Sequence, residues 1–339
     1  MDVLIIGGTR FIGPLLVLRL LAGGHRVTVL NRGTQPDPFG MFASRVEGIV
    51  ADRRSPDFAK ALVGRSFDAV VDFVAYEQED AEGAVRALRG RAGHYLLIST
   101  GQVYLVREGC PRPAREIDYF GPLIPRPDAP VDLDQWSYGM GKRACEDALA
   151  RAWEAEAFPS TRLRIPMVNG ERDDQRRIEG YLFRLLDGGP VILPDGGHER
   201  TRHVYAGEVV RAITEMLGRR ETFGEAYNIC QDETPTIEEL VRMLAEMIGA
   251  RPRLVAVSRE ALERNELSAK LISPFSTRWM SFLDPGKVQH ALGFRHAPLR
   301  ECLARVVASF LAHPPAEPPR GYAHRDREIA LARGWPAEG

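Results

Sequence analysis

The sequence predicts an α/β protein: a doubly wound parallel sheet with a smaller, mixed α/β domain after it. Three observations lead there. Strand-like and helix-like segments alternate through the first half of the chain. Several of the strands are apolar at nearly every position, as in "DVLII" and "FDAVVDFVA", the pattern of a strand covered on both faces. A glycine-rich turn, "GGTRFIG", joins the first strand to the first helix.

The elements follow in order. "DVLII" opens as a buried strand, and "GPLLVLRLLAGG" is a helix that stops at Gly23-Gly24. "HRVTVLN" is the second strand, and a polar, Pro-containing loop leads to the strand "RVEGIVAD". In "SPDFAKALVG", Ser55 is the expected N-cap and Pro56 takes the first helical position, where its missing N–H costs nothing. The strand "FDAVVDFVA", the helix "EQEDAEGAVRALRG" and the strand "HYLLIST" complete the alternation. Residues 103–133 lose the pattern and read as a Pro-rich loop. "DQWSYGMGKRACEDALARAWEAEA" is a long helix and "TRLRIPMVNG" a strand ending in a turn. In the second half, helices are expected at "RIEGYLFRLLDGG", "AGEVVRAITEMLG", "TIEELVRMLAEMIGA" and "LRECLARVVASFLAH". Strands are expected there at "VILPDG", "EAYNIC" and "RPRLVAV". From Pro314 the chain is Pro-rich and is expected to wrap the surface or fray. The expected domains are 1–168 with about 204–231, then 169–203 with 232–320, and a tail at 321–339.

The totals exclude several classes. With 45 basic and 46 acidic residues the net charge is −1, which speaks against nucleic acid or an anionic membrane as the main partner. Cys110, Cys145, Cys230 and Cys302 have no paired spacing and read as reduced thiols, not as a disulfide frame or zinc site. The chain enters a strand at once, so no signal peptide is expected. No apolar run reaches the ~18 residues of a membrane helix, and a cytoplasmic location is expected.

The glycine turn points to a dinucleotide. The first glycine of such a turn permits its tightness, and the last lets helix and strand pack closely. Gly7 and Gly13 keep those roles, with Thr9, Arg10, Phe11 and Ile12 between them. Backbone N–H groups and the helix dipole would then hold the pyrophosphate. Arg10 stands where a middle glycine is usual and adds a cation beside the phosphates. The second strand ends in Asn31-Arg32, with no carboxylate to read a ribose 2′-hydroxyl. An arginine there suits a 2′-phosphate, so NADP is the expected cofactor and NAD the second choice. The alternative is that Arg32 is merely solvated at the start of a loop.

"SYGMGK" sets Tyr138 and Lys142 four apart, on one face of a helix. A tyrosine is a poor base at neutral pH unless a cation stabilises its phenolate. Lys142 is that cation, and it could also hold a nicotinamide ribose. A third member should be a hydroxyl, and Ser99 and Thr100 stand at a strand end. The plainer alternative is an exposed helix face.

These segments together resemble the extended short-chain dehydrogenases/reductases of the NAD-dependent epimerase/dehydratase family. "GGTRFIG", "ADRR", "DAVVDFVAY", "LLISTGQVY", "YGMGKRACE", "LRIPMVNG" and "YNICQDETPTIEEL" fall in the family's order. The resemblance implies that Thr100, Tyr138 and Lys142 are the catalytic set, with Tyr138 as general acid/base. It implies that Asp52 and Arg53 border the adenine, and that Phe73, Ala75 and Tyr76 flank the cofactor, with Ser99 nearby. It puts Pro166, Met167 and Val168 near the nicotinamide and Asn169 near the substrate. Gln102, Tyr104, Arg202 and His203 join Asn169 as expected substrate residues. It also implies a homodimer formed through helices 77–89 and 134–156, with Ala148, Leu149, Ala152 and Trp153 as candidate apolar area. Three departures matter. Arg10 matches a subgroup that includes a chloroplast RNA-binding branch. Gly101 and Gln102 replace the Asp-Glu of the dehydratases, which disfavours sugar dehydration. Thr201 stands at the arginine that grips nucleotide sugars, leaving Arg200 or Arg202 to substitute.

The expected function is hydride transfer at a carbinol or carbonyl carbon of a nucleotide sugar or other small carbonyl compound. Release after one transfer makes a reductase; retention and return of the hydride to the other face makes an epimerase. The second reading is a cofactor-binding regulator or RNA-binding protein of the same fold. No metal is expected, since His203 has no second ligand at metal spacing and reads as a half-buried strand residue.

Overall fold

The computed structural model describes residues 1–335. In chain order the elements are β1 (Asp2–Ile6), α1 (Ile12–Ala22), β2 (Arg26–Asn31), β3 (Val46–Val50), α2 (Pro56–Ala61), β4 (Ala69–Asp72) and α3 (Gln78–Leu88). Then come β5 (Tyr95–Thr100), α4 (Gln102–Leu105), α5 (Pro130–Glu156), β6 (Ser160–Ile165), β7 (Met167–Asn169), α6 (Arg177–Leu186), β8 (Val191–Pro194) and β9 (His203–Tyr205). The rest are α7 (Ala206–Met216), β10 (Ala226–Asn228), α8 (Ile237–Ile248), β11 (Leu254–Val257), α9 (Arg259–Arg264), α10 (Ala269–Ile272), α11 (Gly286–Leu292), α12 (Leu299–Ala312) and α13 (Arg325–Gly334).

The chain forms two compact units. The first holds Met1–Pro166, Ala206–Cys230 and Ser281–Arg295. Its sheet runs β3-β2-β1-β4-β5-β6-β10, and every neighbouring pair is parallel. This is the doubly wound sheet that the alternation of segments predicts. Leu4 and Ile6 of β1 join Val70, Leu97, Leu88 of α3 and Leu149 of α5 in one apolar cluster. Val3 and Ile5 point the other way along the strand and are just as buried. Ser55 caps α2 as expected, its Oγ accepting from Asp57 N at 3.2 Å. Ala148, Leu149 and Ala152, offered by the sequence to a partner copy, are spent in this core, and Trp153 is half-buried.

The second unit holds Met167–Tyr205, Gln231–Met280 and His296–Gly339. It contains two parallel strand pairs, β7–β9 and β8–β11, among helices. A capping box starts α8: Thr236 Oγ1 accepts from Glu239 N, and Glu239 Oε2 accepts from Thr236 N.

Four expectations change. "TRLRIPMVNG" is not one strand: Pro166, which has no N–H for a ladder, separates β6 in the first unit from β7 in the second. Ser281–Arg295 falls in the first unit, not with 232–320, because Ala114 N donates to Phe282 O and Asp284 N to Ala114 O, both at 2.8 Å. The loop at 103–133 is broken by α4 and by a 3-10 turn at Glu116–Tyr119. The tail carries α13, which is held by buried ion pairs. Arg184 of α6 bonds Glu328 of α13 at 2.6 Å with both side chains fully buried, and Arg325 bonds Asp187 at 2.6 Å. Residues 336–339 of the expected tail lie outside the described residues. Among the described residues no helix is long and apolar enough to cross a membrane, and the four cysteines form no disulfide.

Candidate active site

The turn after β1 is built for close approach. Gly7 N donates to Leu30 O at 2.8 Å, tying the turn to the end of β2. A Cβ on Gly13 would collide with the backbone of Gly8, so only glycine lets α1 start there. The helix begins after Phe11, which has a positive φ of 47°. No side chain caps α1, and its first turn carries no acidic residue. Its leading N–H groups and positive dipole end are therefore suited to an anion. A cleft of about 460 Å³ opens beside the turn, lined by Gly7, Thr9, Arg10, Arg32, Asp52 and Tyr76 among others. Arg10 and Arg32 are exposed on it. Asn31 also lines it, with its Oδ1 accepting from Gly33 N at 2.6 Å. These features fit a dinucleotide with its phosphates at the turn.

Arg53 borders this cleft but turns its guanidinium inward. It donates to both carboxylate oxygens of Asp72, at 2.8 and 2.7 Å, and to Asp80 O at 2.5 Å. Asp72 is fully buried and also accepts from Tyr95 Oη at 2.6 Å. Asp80 accepts from Tyr76 N at 2.8 Å and Glu77 N at 3.2 Å, which fixes the loop after β4. Ala75 in that loop is fully buried, and Phe73 half-buried. Asp52 is exposed and accepts from Arg54 N at 2.9 Å.

The expected catalytic set comes together at the end of β5. Thr100 lies near enough to the phenol of Tyr138 to lower its pKa. Desolvation pushes the Tyr138 pKa up to about 12, against the lowering effect of Thr100. Tyr138 is 37% exposed, whereas Lys142, one turn along α5, is 2% exposed. Lys142 Nζ donates to Ile98 O at 2.8 Å and lies 4.8 Å above the ring of Tyr76. Burial holds the Lys142 pKa below the ordinary lysine range. Lys142 thus lies off the exposed face of the helix, while Tyr138 stays open on it.

Other expected residues are engaged elsewhere. Ser99 donates to Glu146 at 2.5 Å, Glu146 pairs with Arg164 at 2.6 Å, and Arg164 donates to Tyr104 Oη at 2.7 Å. Tyr104 in turn donates to Asn228 at 2.9 Å. Ser99 and Tyr104 therefore serve a buried network around Arg164. Gln102 is buried and its Nε2 donates to Gln135 at 2.6 Å. Sequence reading missed both networks, Arg53–Asp72–Asp80 and Glu146–Arg164. Their trace was visible: arginines inside the otherwise buried strand "STRLRI", and an aspartate ending an apolar one.

In the second unit, Asn169 and His203 hydrogen-bond each other through Nδ2 and Nδ1. His203 is fully buried, not half-buried, with its ring 4.3 Å from that of Phe275, and burial lowers its pKa to about 3. It is a neutral imidazole. Arg202 donates to the carbonyls of Gln231 and Asp232, and Arg200 to that of Thr234 at 3.0 Å. Both arginines are held by backbone oxygen. Met167 is half-buried and Val168 buried in β7, while Pro166 closes the first unit.

The model of the NAD dependent epimerase/dehydratase family matches residues 3–230. The chain belongs to this family. It is an enzyme of the extended short-chain dehydrogenase/reductase type. This epimerase/dehydratase-family chain is 26% identical over 305 residues to the chloroplast stem-loop binding protein of 41 kDa b of Arabidopsis thaliana, covering 86% of this chain and 74% of that protein. Its fold matches dTDP-glucose 4,6-dehydratase of Bacillus anthracis, solved in complex with NAD, with a TM-score of 0.73 at 15% identity over 93% and 97% of the two chains. It likewise matches UDP-glucose 4-epimerase of Thermotoga maritima, solved with UDP-glucose, with a TM-score of 0.71 at 19% identity over 92% and 99%.

Proposed function

We propose that this family member is an NADP(H)-dependent reductase or epimerase acting on a nucleotide sugar or other small carbonyl compound. The observation that carries the reading is Lys142, buried one turn from Tyr138 on α5 with its Nζ bonded to the Ile98 carbonyl two residues before Thr100. The bound nicotinamide supplies or accepts the hydride. Tyr138 gives a proton to the substrate oxygen during reduction and takes it back during oxidation. Thr100 hydrogen-bonds the same oxygen and holds it in line with the phenol. Lys142 stabilises the phenolate when the proton has left, since a nearby cation favours the charged form. The high pKa of Tyr138 without cofactor keeps the phenol protonated and ready as an acid.

NADP is favoured over NAD by Arg32 on the cleft and by the lack of a carboxylate at the end of β2. One good charge-assisted phosphate contact is worth ~1.5–3 kcal/mol, or roughly tenfold or more in affinity. Fluorescence titration should find NADPH tighter than NADH by that margin, and Arg32→Ala should erase the difference. Equal affinities in the wild type would refute the preference. Turnover of NADPH against a panel of nucleotide sugars and small carbonyl compounds tests the activity itself.

The second reading, an RNA-binding or regulatory protein, has the similarity to the stem-loop binding protein in its favour. The near-neutral charge balance and the buried Lys142 one turn from Tyr138 weigh against it. Titration with stem-loop RNA at two salt concentrations, beside NADPH, separates the two.

A further inference from the structure

We propose that Tyr76 is a positioning residue for Lys142: its ring face seats the buried ammonium beside the Ile98 carbonyl. The proposal rests on the catalytic reading only for its consequence, because the seat exists without substrate. An ammonium has three N–H donors and is strongly hydrated in water. Lys142 is 2% exposed, yet among the described residues it forms no salt bridge. What faces Nζ is one carbonyl oxygen at 2.8 Å and one aromatic ring at 4.8 Å. A ring face attracts a cation through its quadrupole, most strongly where water is excluded.

The ring is delivered from two sides. Asp80 holds the Tyr76 N–H, and Arg53 and Arg54 hold Asp80. On the other side α5 lies directly on the Tyr76 carbonyl: a Cβ on Gly141 would collide with that oxygen. Gly141 therefore sets how far down Lys142 reaches. Tyr76 is itself 43% exposed, so it does not act as core filler. Its ring lies 6.3 Å from that of Tyr138, which sets the seat beside the proposed proton donor. The Tyr76 phenol stays neutral, since burial and then Asp72 raise its pKa. The other titratable groups that act on Lys142 are Cys145, Asp72 and Glu146, which favour its charge, and Arg53, which opposes it.

The test exploits composition: the chain has only four lysines, Lys60, Lys142, Lys270 and Lys287. Selective isotope labelling of lysine gives a four-signal NMR spectrum, and Lys142→Arg identifies the signal of interest. Titrated without cofactor or substrate, Tyr76→Leu should shift the Lys142 titration to lower pH. Tyr76→Phe, which keeps the ring, should titrate as wild type. An unchanged titration in Tyr76→Leu overturns the proposal, and so does a shift in Tyr76→Phe as large as that in Tyr76→Leu. Should Tyr76→Leu fail to fold, Tyr76→Met takes its place with the same expectation. Because no turnover is read, failure here leaves the oxidoreductase reading standing, and failure of the substrate panel leaves this result standing.

Discussion

Tyr138 and Lys142 sit one turn apart on α5 and meet different surroundings: the first is partly open, the second sealed. Their functions should separate accordingly. Tyr138→Phe removes only the phenol oxygen, so cofactor binding should survive while turnover falls by about 10²–10⁴-fold. Lys142→Met should weaken cofactor affinity and rate together and move the pH optimum upward, since the phenolate loses its cation. Thr100→Val should fall between, losing the positioning bond and keeping the proton donor. Near-normal turnover of Tyr138→Phe on an identified substrate would sink the assignment. At this scale the spacing of Tyr138 and Lys142 was legible because a helix puts residues four apart on one face. The commitments of Arg53, Ser99, Tyr104 and Arg202 were not. A local sequence window says which side chains can donate, but the acceptors that claim them lie far along the chain: Asp72 for Arg53, Glu146 for Ser99, Asn228 for Tyr104 and Gln231 for Arg202.

Among the elements, β5 carries a built-in acid sensitivity at its start. His94 is fully buried, its Nδ1 accepting from Gly218 N at 3.1 Å and its Nε2 facing Thr161 Oγ1 at 2.9 Å. Thr161 donates onward to Thr222 O at 2.6 Å, so Nε2 carries the proton and the ring is neutral. Burial lowers the His94 pKa to about 4, from an ordinary 6.5. The folded state therefore binds this proton less readily than the unfolded chain. The stabilising difference is complete above pH ~6.5 and is lost as pH falls toward ~4. By pH ~5 the loss is roughly 2 kcal/mol. Buried neutral His203 adds to the slope in the same direction. Denaturant midpoints measured from neutral pH down to about pH 5 should fall, and His94→Gln should flatten that fall at the expense of overall stability. A wild-type midpoint independent of pH in this range would contradict the account. Strands β1 and β4 were readable because burial on both faces makes them apolar at nearly every position. Helix α13 was not, because "RDREIALARG" looks like a solvated segment: its buried residues include Arg325 and Glu328, which neutralise charges on α6 and beyond it.

For the whole molecule, the proposed homodimer now has a different chemistry from the one its sequence suggested. With Ala148, Leu149 and Ala152 in the core, ion pairs take their place on the outer surface of α3 and α5. Arg151 and Arg86 both approach Glu82, at 3.9 and 3.7 Å, and Arg89 bonds Glu156 at 2.7 Å. A two-fold contact through this face would set these pairs against their own copies. Exposed charges are screened by salt, so the association should weaken as ionic strength rises. Light scattering at low salt should give twice the chain mass, moving toward the monomer at high salt. A monomer at micromolar concentration in low salt would refute the dimer.

The buried pair between α6 and α13 also has a consequence for how the chain is made. Arg184 waits for a partner 144 residues downstream. At about 5–20 residues per second, a ribosome takes roughly 7–30 s to reach Glu328. Throughout that interval the nascent chain holds an arginine whose final seat is wholly dry and which has no carboxylate to meet there. Helix α6 cannot bury that side of itself during translation without stranding a charge. The second unit must therefore finish folding late, and any chain that stops short of Glu328 carries a fault at its centre, not at its edge.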